Sequence, residues 1–131
     1  MSWIVRYGVA LLVLGIGDVL WLSYFAHAVF RPTLGAILLD DPRWAAVGIF
    51  YLVYAAGVLI FAVSPALHAG AASTALLYGA LFGLFAYGTY DTTNFATIKA
   101  WTIQLAFLDT GWGIVLTAVA ALAAYCIRPS L

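Results

Sequence analysis

The chain has 131 residues, 66% of them hydrophobic and only 8% charged, with a mean hydropathy of +1.10. Soluble domains carry about 45–50% apolar and about 25% charged residues, so a water-soluble globule does not fit, and a disordered chain fits still less. Five Lys/Arg balance five acids at zero formal net charge. No basic patch supports nucleic-acid binding, and what remains is one small integral membrane domain.

A membrane-spanning helix needs about 20 mainly apolar residues. The first segment, about 3–30, is long enough to span but carries Asp18 in its middle. Arg6 and Ala26-His27-Ala28 imitate the two ends of a secretory signal, yet an aspartate inside the apolar stretch is wrong for one, so a retained helix is expected. The second segment, 44–63, is uncharged throughout. The third, 73–98, is uncharged from Ser73 to Tyr90 and continues past Asp91. The fourth, 102–127, is uncharged from Gly111 to Ile127, with Gln104 and Asp109 just upstream.

Breaks are expected near 31–43, 64–72 and 98–102. There Arg31-Pro32, Asp40-Asp41-Pro42, Ser64-Pro65 with Gly70, and the residues around Lys99 supply turn chemistry. Continuous rather than alternating apolar runs argue against a β-barrel. The expected fold is all-α, an integral membrane four-helix antiparallel bundle, with residues 1–131 as a single transmembrane domain. Asp40, Asp41 and Arg43 read as a turn and the cap of the second helix. Trp3, Trp44, Trp101 and Tyr125 at the segment ends suit interface anchoring. Arg31, Arg43 and Lys99 on one face balance Arg6, Arg128 and the amino terminus on the other, so the positive-inside rule sets no orientation.

Catalytic and metal motifs are scarce. Cys126 is alone, every acid is aspartate, and HExxH and EF-hand patterns are thereby excluded. GxSxG and GxxxxGK do not occur. No metal site is expected and no cofactor is indicated.

An intramembrane charge costs roughly 3 kcal/mol on insertion scales, so each buried aspartate is a functional candidate. At 1.5 Å per residue, Asp91 and Asp109 lie about 12 Å in from the edge formed by the first and third loops, and Asp18 about 20 Å in. All three are expected to line one cavity facing that side. Tyr87, Asp91 and Asn94 share one helical face, with Tyr90 beside them. Gly79 and Gly83 continue that face as GxxxG, which permits close contact with the fourth helix, where Gly113 is a further packing candidate. Asp18/Trp21 and Asp109/Trp112 repeat an Asp-x-x-Trp pair in antiparallel helices, a hint of an inverted repeat. Tyr51 and Tyr54 add aromatic walls from the second helix. The candidate ligand- or ion-binding set is therefore Asp18, Asp91, Asp109, Asn94, Tyr87, Tyr90, Trp21, Trp112, Tyr51 and Tyr54, with Asp91 central. Without any ligand, the same polar groups would bond one another and fix helix register.

Asp18-Val-Leu-Trp21-Leu22, Phe50-Tyr51-x-x-Tyr54-x-x-Gly57, Asp109-Thr-Gly-Trp112-Gly113 and, above all, Tyr90-Asp91-x-Thr-Asn94-x-Ala-Thr97-x-Lys99-x-Trp101 carry a resemblance. With them the chain resembles an uncharacterised bacterial family of small four-helix inner-membrane proteins, a domain of unknown function. Thr92 and Thr102 stand where that family commonly has Leu and Pro. The resemblance implies a multi-pass bacterial inner (cytoplasmic) membrane protein and brings no activity.

Three functions compete. The first is binding or translocation of a proton, a cation or a small polar or lipid head group at the Asp/Tyr/Trp/Asn cavity, since carboxylates suit cations and aromatic faces suit organic ones. The second is an accessory subunit of a larger membrane complex, docking through small-residue faces that include Gly79, Gly83, Gly113, Ala120, Ala121 and Ala124. The third is a lipid-modifying enzyme using aspartates as acid and base, which no nucleophile–base pair or redox motif supports. Expected partners are membrane lipids, with other membrane subunits or a second copy of the chain under the second reading.

Overall fold

The computed structural model describes residues 2–39 and 41–127, and the side chains of Ser2, Ala26 and His27 lie outside that description, as do Asp40 and Arg128. Among the described residues every regular element is helical. Four stretches are long and apolar enough to cross a membrane: Trp3–Phe25, Trp44–Ala69, Ala72–Thr97 and Ile103–Cys126. The elements in chain order are α1 (Ser2–Phe25), α2 (Arg31–Leu34), α3 (Trp44–Val58), α4 (Ser64–Ala69), α5 (Ala72–Thr97) and α6 (Ile103–Cys126).

The breaks expected near 31–43 and 64–72 fall late in those windows, after Ile37 and at Gly70, because neither proline ends its helix. Pro32 and Pro65 each sit in the first turn of a helix that continues a preceding one. Each is preceded by a π turn, Ala26–Phe30 and Leu59–Val63. Proline lacks an N–H and its ring collides with the carbonyl four residues back. The wider π turn, in which the Ser64 N–H bonds the Leu59 carbonyl, accommodates that ring without ending the helix. The second span therefore runs on to Ala69 and stops only at Gly70, whose φ of 65° is left-handed and whose N–H bonds the Ala66 carbonyl.

Packing follows residue size. α5 and α6 are the most intimate pair. A Cβ at Gly79 would lie 2.9 Å from Ala118 Cα and Thr117 O, and one at Gly83 would strike the Gly113 carbonyl. Gly113 in turn lies flat against the Tyr87 ring. Ala120, Ala121 and Ala124 are wholly buried on the same side, so the small residues considered for docking are consumed inside the chain. The second span meets α5 through its π turn and α4, whereas α3 lies against α1. The second and third spans thus part toward the end where α3 begins.

At that end Phe25, Leu34, Trp101 and Leu105 form an apolar cluster. Trp101 is 6% exposed and belongs to this roof rather than to an interface belt, while Trp3 and Trp44 are exposed. Asp41 accepts from the Trp44 indole at 3.2 Å, and Arg43 occupies the N-cap of α3 without a side-chain cap bond. At the opposite end the buried Arg6 donates through Nη1 to the carbonyls of Ala124 and Tyr125 at 2.6 and 2.7 Å. It neutralises the carbonyl end of α6 and is not a free surface cation.

Candidate functional site

Asp18 lies seven residues before the end of α1, Tyr51 seven after the start of α3, Asp91 six before the end of α5 and Asp109 six after the start of α6. At 1.5 Å per residue all four lie about 10 Å inside the same end of the bundle. Counted to Arg31, along the helix that continues through the π turn, Asp18 lies about 20 Å in; counted to Phe25 it is level with the others.

The three aspartates differ in their bonding. Asp18 is a junction: Trp112 Nε1 donates to its Oδ1 at 2.8 Å and the Tyr51 hydroxyl donates to its Oδ2. One carboxylate so ties α1, α3 and α6 together. Asp91, 1% exposed, faces α6 and accepts from Thr110 Oγ1 at 2.9 Å through Oδ2. Its Oδ1 is buried without a partner, as is Nε1 of the nearby Trp101. Asp109 is the neighbouring acid, on α6 across the close α5–α6 contact. Of the surrounding donors, Tyr51 and Trp112 are committed to Asp18 and Thr110 to Asp91, while Tyr87 and Tyr90 line the same cavity as Asp109.

A cavity of about 380 Å³ opens between the parted second and third spans. Asp18, Asp109, Tyr51, Tyr87, Tyr90 and Trp21 line its interior, and Leu22, Phe30, Phe50 and Ala86 complete its wall. Leu22, Phe50 and Tyr90 are each about half exposed, so the opening faces sideways, where lipid chains lie. It does not face the loops, because the Phe25/Leu34/Trp101/Leu105 cluster occupies that end.

The cavity separates the sequence candidates. Asp91 is behind the wall. Asn94 is half-buried and off the wall. Tyr54 is core: its hydroxyl pairs with Thr117 Oγ1 at 2.8 Å and its ring stacks on Phe50 and Phe82. Trp112 lies behind the wall, bonded to Asp18 and stacked on Trp21 with centroids 4.7 Å apart and planes 2° from parallel.

That stack gives the repeated Asp-x-x-Trp pairs a physical meaning. Trp112 of the second pair serves Asp18 of the first. The reciprocal bond, from Trp21 Nε1 to Asp109, is not made, and Trp21 Nε1 is buried without a partner. Trp21 Nε1 is enclosed, whereas Asp109 lines the cavity.

A family model described as predicted membrane protein (DUF2177) matches residues 3–126, nearly the whole chain. The chain belongs to that family. No curated protein and no solved structure matches it. Within this DUF2177 chain the Tyr90–Trp101 motif builds two features at once. Tyr90 lines the cavity, Asp91 lies behind it, and Trp101 closes the roof, its ring edge-on to Tyr90 at 5.5 Å. Thr102 is the N-cap of α6 and accepts from the Leu105 N–H at 3.1 Å.

Several site residues escape a reading of spacing. Thr110, the donor to Asp91, is signalled only by adjacency to Asp109. Leu22, Phe30, Phe50 and Ala86 carry no polar atom in their side chains, and only the divergence of the spans makes them walls. Thr89, Thr93 and Thr97 look like further polar candidates on α5. Their hydroxyls bond the carbonyls of Phe85, Thr89 and Thr93, so each is satisfied within its own helix.

Proposed function

We propose that this protein acts in a bacterial inner membrane and binds a proton or a small cationic or polar head group at Asp109. The observation that carries the reading is the cavity lining: Asp109 and Asp18 stand together among Tyr51, Tyr87 and Tyr90, at membrane level. Unsatisfied polar groups in a low-dielectric site are costly, and a ligand supplying a donor to Asp109 lowers that cost. Among the described residues no Lys, Arg or His lines the cavity, so its negative charge is offset only by a proton or an incoming cation. Asp18 has a different part. Two donors fix it as a ligand-independent tie between helices, and it adds negative potential. Asp91 and Asp109, neighbours across the α5–α6 contact, act as one unit that shares protons. Membrane lipids are the surrounding partners in this reading.

The test is carboxyl infrared absorption of the protein in lipid nanodiscs, titrated with methylammonium and separately with acid. Wild type is expected to show a saturable carboxyl change that Asp109→Asn removes and Asp18→Asn retains. A wild-type spectrum unmoved by either titration overturns the reading.

A further inference from the structure

Resting on the cavity reading above, the geometry points to a lipid-soluble amine as the ligand: a single-chain amphiphile whose protonated head sits at Asp109 and whose chain leaves sideways between the second and third spans. Three features converge on this chemistry. The interior is anionic and lined by aromatic side chains: Asp18 and Asp109 stand among Tyr51, Tyr87 and Tyr90. Carboxylate and ring faces together recognise ammonium groups and reject anionic heads. Next, the wall grades from polar to apolar, so that Leu22, Phe30, Phe50 and Ala86 meet hydrocarbon rather than a head group. Finally, the opening lies on the lipid-facing flank, with Phe50 46% and Leu22 45% exposed, and the loop end is closed by apolar packing. A hydrophilic ion would have to cross that roof; an amphiphile dissolved in the bilayer already stands at the door.

Size agrees with the geometry. About 380 Å³ is at the low end of small-ligand sites, roughly 300–1,000 Å³. It holds a head group and the start of one chain, not a diacyl lipid, so the remaining chain stays in the membrane.

The experiment is protection of Asp109 from a hydrophobic carbodiimide, read by mass spectrometry on the full chain in phosphatidylcholine nanodiscs as the sum of N-acylurea and amine-coupled amide at Asp109, with dodecylamine, butylamine and dodecanol as competitors. Dodecylamine is expected to slow labelling of Asp109 at least tenfold at concentrations where butylamine and dodecanol change it less than twofold. Ala86→Leu, which narrows the apolar wall, should remove the dodecylamine advantage while leaving butylamine, at higher concentration, as effective as in wild type. That variant separates occupation of the site from simple enrichment of dodecylamine in the bilayer. Equal potency of butylamine and dodecylamine overturns the chain-binding inference and leaves the cation reading standing. Equal potency of dodecanol and dodecylamine overturns recognition of the amine. Labelling of Asp109 that no amine slows overturns both.

Discussion

Alanine at Gly83 would place a methyl group against the Gly113 carbonyl oxygen and the Ile114 Cα, both backbone atoms of α6. Neither can rotate away. At Gly79, one turn earlier, the methyl would stand 2.9 Å from two backbone atoms, where ordinary contact begins at 3.4 Å, so α6 would have to retreat by 0.5 Å there and further at Gly83. Overpacking of this kind costs about 1–3 kcal/mol, and the unyielding oxygen puts Gly83 at the upper end. Against this, replacing a helical glycine by alanine gains about 0.5–1 kcal/mol of backbone entropy. The net expectation for Gly83→Ala is a loss of about 2 kcal/mol. Gly15, in the interior of α1, has nothing within 4 Å of its would-be methyl, so Gly15→Ala should keep the gain and stabilise by about 0.5–1 kcal/mol. Reversible unfolding in mixed micelles, followed by far-ultraviolet circular dichroism, measures both. If the two variants shift stability in the same direction, the close α5–α6 approach is not what holds the bundle.

The remaining predictions concern the polar ties. Asp18→Leu leaves the Trp112 indole and the Tyr51 hydroxyl without their acceptor and should cost about 1–3 kcal/mol in the same assay, whereas Asp18→Asn keeps one acceptor and should lose less than about half of that. Arg6→Met keeps the aliphatic stem but removes the bonds to the Ala124 and Tyr125 carbonyls; faster amide exchange is expected in the last turn of α6 and not around Asp91. Tyr54→Phe frees Thr117, which can turn back to a carbonyl of its own helix, so a change below about 1 kcal/mol is expected in unfolding.

Much of the architecture is legible in the sequence because apolar run length and small-residue spacing are local signals. Trp44–Val63 declares a span through its uninterrupted apolar composition, and Gly79 and Gly83 declare a close face. Pro65 misleads, since a proline ends a helix only when nothing widens the turn before it, and the π turn at Leu59–Val63 does so. The site was legible in part. Membrane depth marks Asp18, Asp91 and Asp109, but depth does not say which face each presents. Asp91 has the richer company along its own helix, with Tyr87, Tyr90 and Asn94. The bond it makes runs instead to Thr110 on the neighbouring helix, and it is Asp109 that reaches the cavity. Partner assignment across helices depends on rotation about each axis, which spacing within one helix does not contain. Trp101 misleads similarly: its position at a segment end suits an anchor, but the loop folds it inward.

The π turn before Pro65 has a consequence for how such a site could diversify. The second span stays against the third through the widened turn and parts from it beyond, so the mouth between them is framed by backbone path rather than by the side chains that touch its contents. Pro65 and the π turn that accommodates it lie outside the cavity wall. Substitutions there would act as a set screw on the aperture, widening or narrowing it while Asp109, Tyr51 and Trp21 keep their identities. Selectivity for chain girth and recognition of the head group would then be separately adjustable, the first from the π turn and the second from the carboxyl.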